Sequence, residues 1–333
     1  MPGCEAVTAP RFVPGLVSIV VVGHNNWPEL ETAIQSGLRQ SYRPVEVVVV
    51  DNESTDQTST EVPRRFGDSV RYVRQSNTGD GGGYNRGISE SRGEFVHLLD
   101  GDDLMAPNMI EKQIAMLEED ASIDAVYGDV RHFLGEPGVA PDGRWQEFSL
   151  RDYDDLLAAL IRADDHGLMV PTAMLFRRAT IERVGPFIAR DGHWEDIWWQ
   201  VDREYLLRCA HAGCRFRHSP GALLFYRIHG KQMTADSAGM DRGMDALMER
   251  SAKMVTREPY HGMLQSLWAR RLWSRAVSAA SRRGEALRTL RRARIADPGS
   301  VTLPRYLIGL LLILVPGGAW AYRVQQRLRS PRP

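Results

Sequence analysis

Cysteine is scarce in this sequence of 333 residues, and no apolar segment reaches the length that is typical of a transmembrane helix. Cys4, Cys209 and Cys214 are an odd number without metal-type spacing, which favours a reducing compartment over a disulfide framework. The apolar stretch 306–322 is shorter than the about 20 residues that span a bilayer. The first residues lack a basic start followed by an apolar stretch, so we expect no signal peptide.

Net charge is absent as well, because 42 Lys and Arg residues offset 42 Asp and Glu residues. This balance hides two sections of opposite charge. Residues 253–333 contain 16 basic and 3 acidic residues, so the excess of acid lies in residues 1–252. The two sections are therefore expected to contact different partners. A content of 43% hydrophobic and 25% charged residues excludes disordered, collagen-like and polytopic membrane proteins.

Short β-branched runs alternate with helical patterns over the first 130 residues, which predicts an α/β fold with a mainly parallel sheet. The predicted strands are Val17–Val22, Val45–Val50, Val70–Val73 and Phe95–Leu99, and a short helix is expected over Asn85–Arg92. Ligands of such sheets bind beyond the carboxyl ends of the strands. Polar clusters follow the first, second and fourth strands, which predicts the functional site at this edge.

The fourth strand runs into the acidic turn Asp100-Gly101-Asp102-Asp103. Carboxylates two residues apart on a tight turn can face one point and bind a hard divalent cation, with water and substrate phosphate completing its shell. The alternative is a purely structural turn in which Asp103 caps the next helix.

Three further clusters are candidates for ligand binding. Asp51 ends the second strand and can accept hydrogen bonds from a base or ribose edge, and Ser54 or Thr55 can at the same time cap a helix, because these roles use different residues. The glycine-rich segment 77–83 lets the backbone approach a ligand, or forms a surface loop; no strand-to-helix crossing is recognised around it. His229 follows a late strand, where a lone histidine is more often structural.

In this order and spacing the motifs resemble those of the family 2 glycosyltransferases, which are inverting enzymes with a GT-A fold, over about residues 16–235. The resemblance implies a GT-A-type nucleotide-diphospho-sugar transferase fold with a mainly parallel mixed sheet, followed here by a C-terminal α-helical extension. The motifs that carry it are Val17–Asn25, Val50–Asp56, Asn85–Gly87, Gly93–Phe95, Leu99–Asp103, Arg177 with Gly185 and Phe187, and Tyr226–His229.

The resemblance also implies roles for individual residues. Asp51 contacts the nucleotide base, Asp100 lies at the ribose and metal, and Asp102 binds the metal. His229 lies near the metal and the diphosphate. The cofactor implied is Mn²⁺ or Mg²⁺, and the donor is a UDP- or dTDP-sugar. The residues implied for nucleotide-sugar binding are His24, Asn25, Asp51, Asn77, Gly79, Asn85 and Asp100.

The catalytic base is sought among carboxylates on the acceptor side. The family places a Glu-Asp pair directly before a helix, whereas here Glu195 and Asp196 are separated from the helix that begins near Asp202. We favour Asp196, because it lies in a tryptophan-rich loop, with Asp202 as the competitor or a helix cap. Trp194, Trp198 and Asp103 are candidate acceptor contacts, although core packing explains tryptophans equally well.

The chain is expected to consist of an N-terminal tail (1–15), a catalytic domain (16–238) and a basic helical extension (239–333). Within the extension, 306–322 is interpreted as a shallow membrane contact flanked by arginines, with a spanning helix and a buried helix as alternatives. The predicted location is the cytoplasmic face of the cell membrane, without nucleic acid as a partner.

The sequence thus predicts a metal-dependent inverting glycosyltransferase that moves a hexosyl or deoxyhexosyl group to a glycan or lipid-linked acceptor in cell-surface polysaccharide or glycolipid assembly. Two alternatives remain from the sequence. One is a nucleotidyltransferase, which can use a similar sheet and acidic pair, and the other is a non-catalytic scaffold that binds nucleotide sugars.

Overall fold

A computed structural model describes most of the chain. The described residues are 12–134, 145–148, 151–162, 169–190, 196–230, 232–280 and 282–314. The chain divides into two compact units, residues 1–247 and 248–333. The boundary falls inside a helix, later than the domain boundary expected at residue 238.

The first unit is built on one sheet. Its strands are β1 (Val13–Gly23), β2 (Val45–Asn52), β3 (Arg71–Gln75), β4 (Gly93–Asp100), β5 (Leu104–Met105), β6 (Ala125–Leu134), β7 (Trp145–Phe148), β8 (Met174–Arg177) and β9 (Phe216–Ile228). Its helices are α1 (Glu29–Leu38), α2 (Thr58–Phe66), α3 (Gly79–Glu90), α4 (Met109–Glu119), α5 (Leu156–Arg162), α6 (Arg178–Val184) and α7 (Val201–His211). The helix α8 (Ser237–Met254) crosses into the second unit.

The strand order is β3-β2-β1-β4-β8-β6-β9-β5, with β7 added beside β6. The four strands β3, β2, β1 and β4 are parallel, whereas β8 pairs antiparallel with both β4 and β6. The expected α/β class with a mixed sheet is therefore confirmed. In the parallel half Val22 lies opposite both Val50 and Asp100, which brings three strand ends to one edge.

The predicted strands lie where the β-branched runs are. Val17–Val22 is the buried centre of β1, because helices cover both faces of the parallel strands and exclude water from both sets of side chains. The predicted runs Val45–Val50 and Phe95–Leu99 lie inside β2 and β4. The third strand, expected from Val70, begins at Arg71 and continues to Gln75.

The glycine-rich segment differs from the prediction. The helix expected over Asn85–Arg92 begins six residues earlier, at Gly79, and ends at Glu90, so the segment forms the first turns of α3 after β3. A strand-to-helix crossing therefore does surround it. Glycine is a poor helix former, but the close packing of this helix on the sheet requires glycine at some of its positions. A Cβ at Gly83 would overlap Val22, and one at Gly87 would overlap Val20, so the glycines let α3 lie directly on β1.

The alternative capping roles are wrong. Asp103 does not cap a helix, because it precedes β5, and the N-cap of the next helix is Asn108. Ser54 and Thr55 do not cap α2, which begins at Thr58.

The second unit contains the remaining helices, α9 (Tyr260–Ser278), α10 (Arg283–Ala296) and α11 (Leu303–Leu314). They enclose a small core to which α9 contributes Leu272 and Trp273, α10 contributes Leu290, and α11 contributes Ile313. Among the residues that the structure describes, no helix has the length and apolar character needed to cross a bilayer. Residues 315–322 of the predicted membrane contact lie outside the described residues.

Candidate functional site

A cavity of about 1180 Å³ opens in the first unit where β1 and β4 end. It lies at the edge of the sheet that the sequence predicts. The cavity brings together five of the residues proposed from the sequence for donor and metal binding: His24, Asn25, Asp100, Asp102 and His229. It also includes Asp202, together with Asp80, which the sequence analysis did not propose.

Asp102 and His229 form a pair in the cavity wall. The Nε2 atom of His229 donates to Oδ2 of Asp102 at 2.9 Å, and both side chains are partly exposed to the cavity. This hydrogen bond raises the pKa of His229. Arg227 positions the turn from behind, because its backbone N–H donates to Oδ1 of Asp103 at 2.9 Å and its Nε donates to the carbonyl oxygen of Asp102 at 2.8 Å.

Asp100 and Asp103 are held more deeply than Asp102. The hydroxyl of Tyr84 donates to Oδ1 of Asp100. Burial and the neighbouring carboxylates Asp80, Asp103 and Asp102 raise the pKa of Asp100. Asp103 is almost fully buried and does not line the cavity, and the acceptor contact predicted for it stays a prediction.

Two further carboxylates face the cavity without a hydrogen bond or ion pair to any described residue, Asp80 in the first turn of α3 and Asp202 in the first turn of α7. Burial, followed by the charge of Asp102, raises the pKa of Asp80 to about 6. Burial, followed by the charge of Asp80, raises the pKa of Asp202 to about 7. Such a concentration of acid predicts a cation or a proton acceptor role at the site.

The residues present fit a divalent cation of the magnesium or manganese type. Asp102 offers a carboxylate oxygen, and His229 would offer Nε2 on the same wall once a cation displaces the proton that Nε2 donates to Asp102. Among the described residues, no three His, Cys, Asp or Glu side chains form a complete metal-binding group. A cation of this type usually takes one or two protein ligands and completes its shell with water and substrate phosphate, so a partial set suits it.

Asp51, predicted to contact a base, is fully buried at the end of β2. Its Oδ1 accepts from the backbone N–H of Ser54 at 2.7 Å, and its Oδ2 accepts from the hydroxyl of Tyr72 at 2.6 Å. Arg74 lies 3.3 Å from the same oxygen. Asp51 thus holds the loop that follows β2, and a contact with a base stays a prediction.

His24 and Asn25 form the adjoining wall. Nδ1 of His24 donates to the carbonyl oxygen of Asn52 at 2.7 Å, and Oδ1 of Asn25 accepts from the backbone N–H of Thr55 at 2.7 Å. Asn25 has a left-handed backbone, with φ at 53°, which turns the chain sharply after β1. This turn presents both side chains to the cavity.

Asn77, Gly79 and Asn85 lie outside the cavity wall and act in the local structure. Oδ1 of Asn77 accepts from the backbone N–H of Gly79 at 3.0 Å, at the start of α3. The side-chain amide of Asn85 exchanges two hydrogen bonds with the backbone of Phe187, at 2.8 and 2.9 Å. Asn85 therefore fastens α3 to the segment after α6, and ligand contacts of these three residues stay predictions.

The two candidate bases occupy different places. Asp196 lies half-exposed outside the cavity wall, where Nε of Arg242 is 3.1 Å from its Oδ1. Asp202 lines the cavity, and its Oδ1 is buried without a hydrogen bond to a described residue. Asp202 is not the helix cap either, since the N-cap of α7 is Gln200. Glu195 and Trp194 lie outside the described residues.

Of the two tryptophans Trp198 and Trp199, one lies outside the cavity wall and the other lines the cavity. Trp198 lies outside the cavity wall, with the guanidinium of Arg190 5.0 Å from its ring centre. Trp199 is tilted against Trp198 at 4.3 Å between ring centres and lines the cavity. Its indole fills the space that a Cβ of Gly239 would occupy, so α8 packs closely on it. The acceptor contact predicted for Trp198 stays a prediction.

Asp80 is the principal residue that the sequence analysis missed. The signal was present as a single acidic residue within the glycine-rich segment at the end of a strand. The sequence analysis interprets the segment as backbone that approaches a ligand or as a surface loop, and neither gives the Asp80 side chain a role, whereas in α3 its carboxylate lies near those of Asp102 and Asp202.

The parallel half-sheet that continues into antiparallel strands, with an acidic turn at its edge, is an α/β architecture of the GT-A type. The model of glycosyl transferase family 2 matches residues 18–185, and the chain belongs to this family. The protein is therefore a glycosyltransferase, as the sequence predicts. Membership favours glycosyl transfer over the nucleotidyl transfer and the non-catalytic binding that the sequence also allowed.

Known glycosyltransferases are similar to this chain in sequence or in structure. An uncharacterized glycosyltransferase of Rickettsia typhi is 29% identical over 252 residues, covering 73% of each chain. The crystal structure of residues 1–349 of S. aureus TarS, in complex with UDP-GlcNAc, is similar with a TM-score of 0.66 and 15% identity, over 95% of this chain and 93% of that one. The mannosyltransferase PcManGT of Pyrobaculum calidifontis, with GDP-Man and Mn²⁺, has a TM-score of 0.55 and 19% identity, over 97% and 86%.

Proposed function

We propose that this protein transfers a glycosyl group from a nucleoside-diphosphate sugar to a hydroxyl acceptor, with a divalent cation and with inversion at the anomeric carbon. One observation carries the proposal. The carboxylate of Asp202, whose Oδ1 has no hydrogen bond to a described residue, lines the same cavity as the Asp102–His229 pair, so a base and a diphosphate-binding group share one space.

At the donor end, Asp102 and His229 would hold Mn²⁺ or Mg²⁺, with Asp100 supporting the turn. When bound, the cation offsets the charge that develops on the leaving diphosphate. The solved structures with UDP-GlcNAc and with GDP-Man and Mn²⁺ support a donor of this chemical class. We place the nucleoside along the wall of His24 and Asn25, with Asp51 ordering the loop beneath the base.

At the acceptor end, we assign the base to Asp202 rather than to Asp196. The acceptor hydroxyl oxygen forms a bond with the anomeric carbon, and the bond from that carbon to the diphosphate oxygen breaks. The proton of the hydroxyl passes to the carboxylate of Asp202, and the nucleoside diphosphate leaves. A carboxylate that burial has made more basic is well suited to this step near neutral pH. Asp196 is already paired with Arg242 at the surface.

The donor class is tested by incubating the full chain with UDP-, dTDP- and GDP-sugars and Mn²⁺, and measuring the products released. We expect the rate of nucleoside diphosphate release to be much higher with one donor than with the others. A site whose polar groups form hydrogen bonds with one base leaves some of these groups without a partner when another base binds. Release of pyrophosphate, or of no product from any donor, would contradict the proposed reaction.

We further propose that the second unit contacts a membrane surface, at the cytoplasmic face of the cell membrane, where the enzyme would act in polysaccharide or glycolipid assembly. On α11, five large aliphatic side chains are at least half exposed: Leu303, Leu307, Ile308, Leu311 and Leu314. Three of them, Leu303, Leu307 and Leu311, repeat every four residues and share one face. The excess of arginine in residues 253–333 would add attraction to anionic lipid.

Flotation with liposomes that contain phosphatidylglycerol tests this contact. The double substitution Leu307→Gln and Leu311→Gln is expected to lower bound protein at least about tenfold, since burying each leucine in an apolar phase stabilises by about 1.5–3 kcal/mol. Leu134→Gln, an exposed apolar residue of the first unit, is the matched control and should float as the parent does. Equal flotation of the double variant and the parent would exclude α11 as the contact.

A further inference from the structure

Where α8 packs on Trp199, three apolar side chains line the cavity. They are Trp199, Met240 and Met244, which we call the methionine wall. None of these side chains is charged. The wall lies directly beside the proposed base, because Trp199 precedes Asp202 by three residues and α8 packs against Trp199. It therefore faces whatever molecule presents its hydroxyl to Asp202.

The methionine wall is held in place by close packing of α8. Cβ atoms at Gly239 and Gly243 would overlap Trp199, so these two glycines let the helix approach the indole. Nε2 of Gln200 lies 3.8 Å from the sulfur of Met240, which directs that side chain toward the cavity. Met240 and Met244 are four residues apart and lie on the same face of α8.

This surface does not suit a sugar ring. The indole of Trp199 is already contacted by α8 and by Trp198, and methionine offers no strong hydrogen-bonding group to a hydroxyl. Methionine is unbranched and polarizable, and it adapts its shape to flexible apolar ligands. An apolar chain on this wall would remove both surfaces from water.

We infer that the acceptor carries an aliphatic chain next to its hydroxyl-bearing group, and that the methionine wall binds this chain. The inference rests on the proposed function, since it assumes that the acceptor enters beside Asp202. It narrows the acceptor from glycans in general to lipid-linked or alkyl-linked molecules.

The test measures binding of methyl, hexyl and octyl β-glucoside to the full chain by calorimetry, below the concentrations at which micelles form. We expect affinity to increase about two- to fourfold for each added methylene group. The lower value corresponds to partial burial of each methylene group and the upper value to full burial. In the double variant Met240→Gln and Met244→Gln this dependence on chain length should be lost. In the double variant with leucine at both positions it should remain, which separates loss of an apolar surface from loss of the fold.

Two results would overturn the inference. One is equal affinity for the methyl, hexyl and octyl compounds. The other is a dependence on chain length that persists in the glutamine variant but disappears in Leu307→Gln with Leu311→Gln, since the chain would then bind at α11. Because binding is measured without a donor, a strong dependence on chain length in a protein that turns over no sugar nucleotide would contradict the proposed function alone.

Discussion

Replacing Asp202 by asparagine is expected to lower kcat by about 10²- to 10⁴-fold, the range that general base catalysis usually supplies. Asparagine has nearly the same shape but cannot accept the hydroxyl proton. Binding of the nucleotide should change little, because the cation and the diphosphate are assigned to Asp102 and His229, with which Asp202 makes no hydrogen bond. The measurement is steady-state release of nucleoside diphosphate at saturating donor and acceptor.

The pH dependence of activity is an independent test of the assignment of Asp202 as the base. Below its pKa the carboxylate of Asp202 is protonated and cannot act as a base, so activity should increase with pH and level off above the pKa. Burial and Asp80 place that pKa at about 7, and a cation in the cavity would lower it. The increase is therefore expected at or below pH 7, and it should be absent from the residual activity of the asparagine variant.

Asp196→Asn is the matched control, because Asp196 lies outside the cavity wall and is paired with Arg242. Its activity should stay within about twofold of the parent, as is usual for a surface ion pair of small energetic value. A large loss in Asp196→Asn with an active Asp202→Asn would reverse the assignment and restore the residue that the sequence favoured.

Replacing Asp102 by alanine is the second large effect. We expect kcat/KM to decrease by about 10²- to 10³-fold, because a metal that offsets charge on the leaving group contributes several kcal/mol and each 1.36 kcal/mol is a factor of ten. The parent should lose activity with a chelator and recover with Mn²⁺. The residual activity of the variant should no longer respond to Mn²⁺.

A direct measurement of Mn²⁺ affinity in the presence of UDP accompanies the kinetics, so that loss of metal binding is separated from loss of folding. Asp68→Ala removes an exposed carboxylate far from the cavity and should leave both quantities unchanged. Full activity and an unchanged Mn²⁺ affinity in Asp102→Ala would exclude Asp102 as the metal ligand.

The parallel half of the sheet could be predicted from particular residues. The runs Val17–Val22 and Val45–Val50 are apolar without alternation, and only strands covered on both faces need that pattern. Each run ends in polar residues, and parallel strands bring such ends to one edge. The acidic turn at Asp100–Asp103 therefore lies at the edge of the sheet that the strand pattern predicts.

The glycine-rich segment shows why local propensity was insufficient. Four glycines in five residues predict a loop, but Gly83 and Gly87 are needed because α3 lies on Val22 and Val20 of a strand far away in the sequence. That contact places Asp80 in the cavity. The sequence pattern of a single segment does not predict how closely a helix packs on a strand that is distant in the sequence.

The sequence by itself determined the fold class, the family and the edge of the sheet where the site lies, because alternation, strand-end polarity and motif order are properties of one chain segment at a time. Only the tertiary structure decided which carboxylates share a space. It placed Asp202 and Asp80 in one cavity with Asp102, left Asp196 on the surface with Arg242, and added the methionine wall. These relations join residues from 22 to 122 positions apart, and they follow from how helices pack on the sheet and on one another.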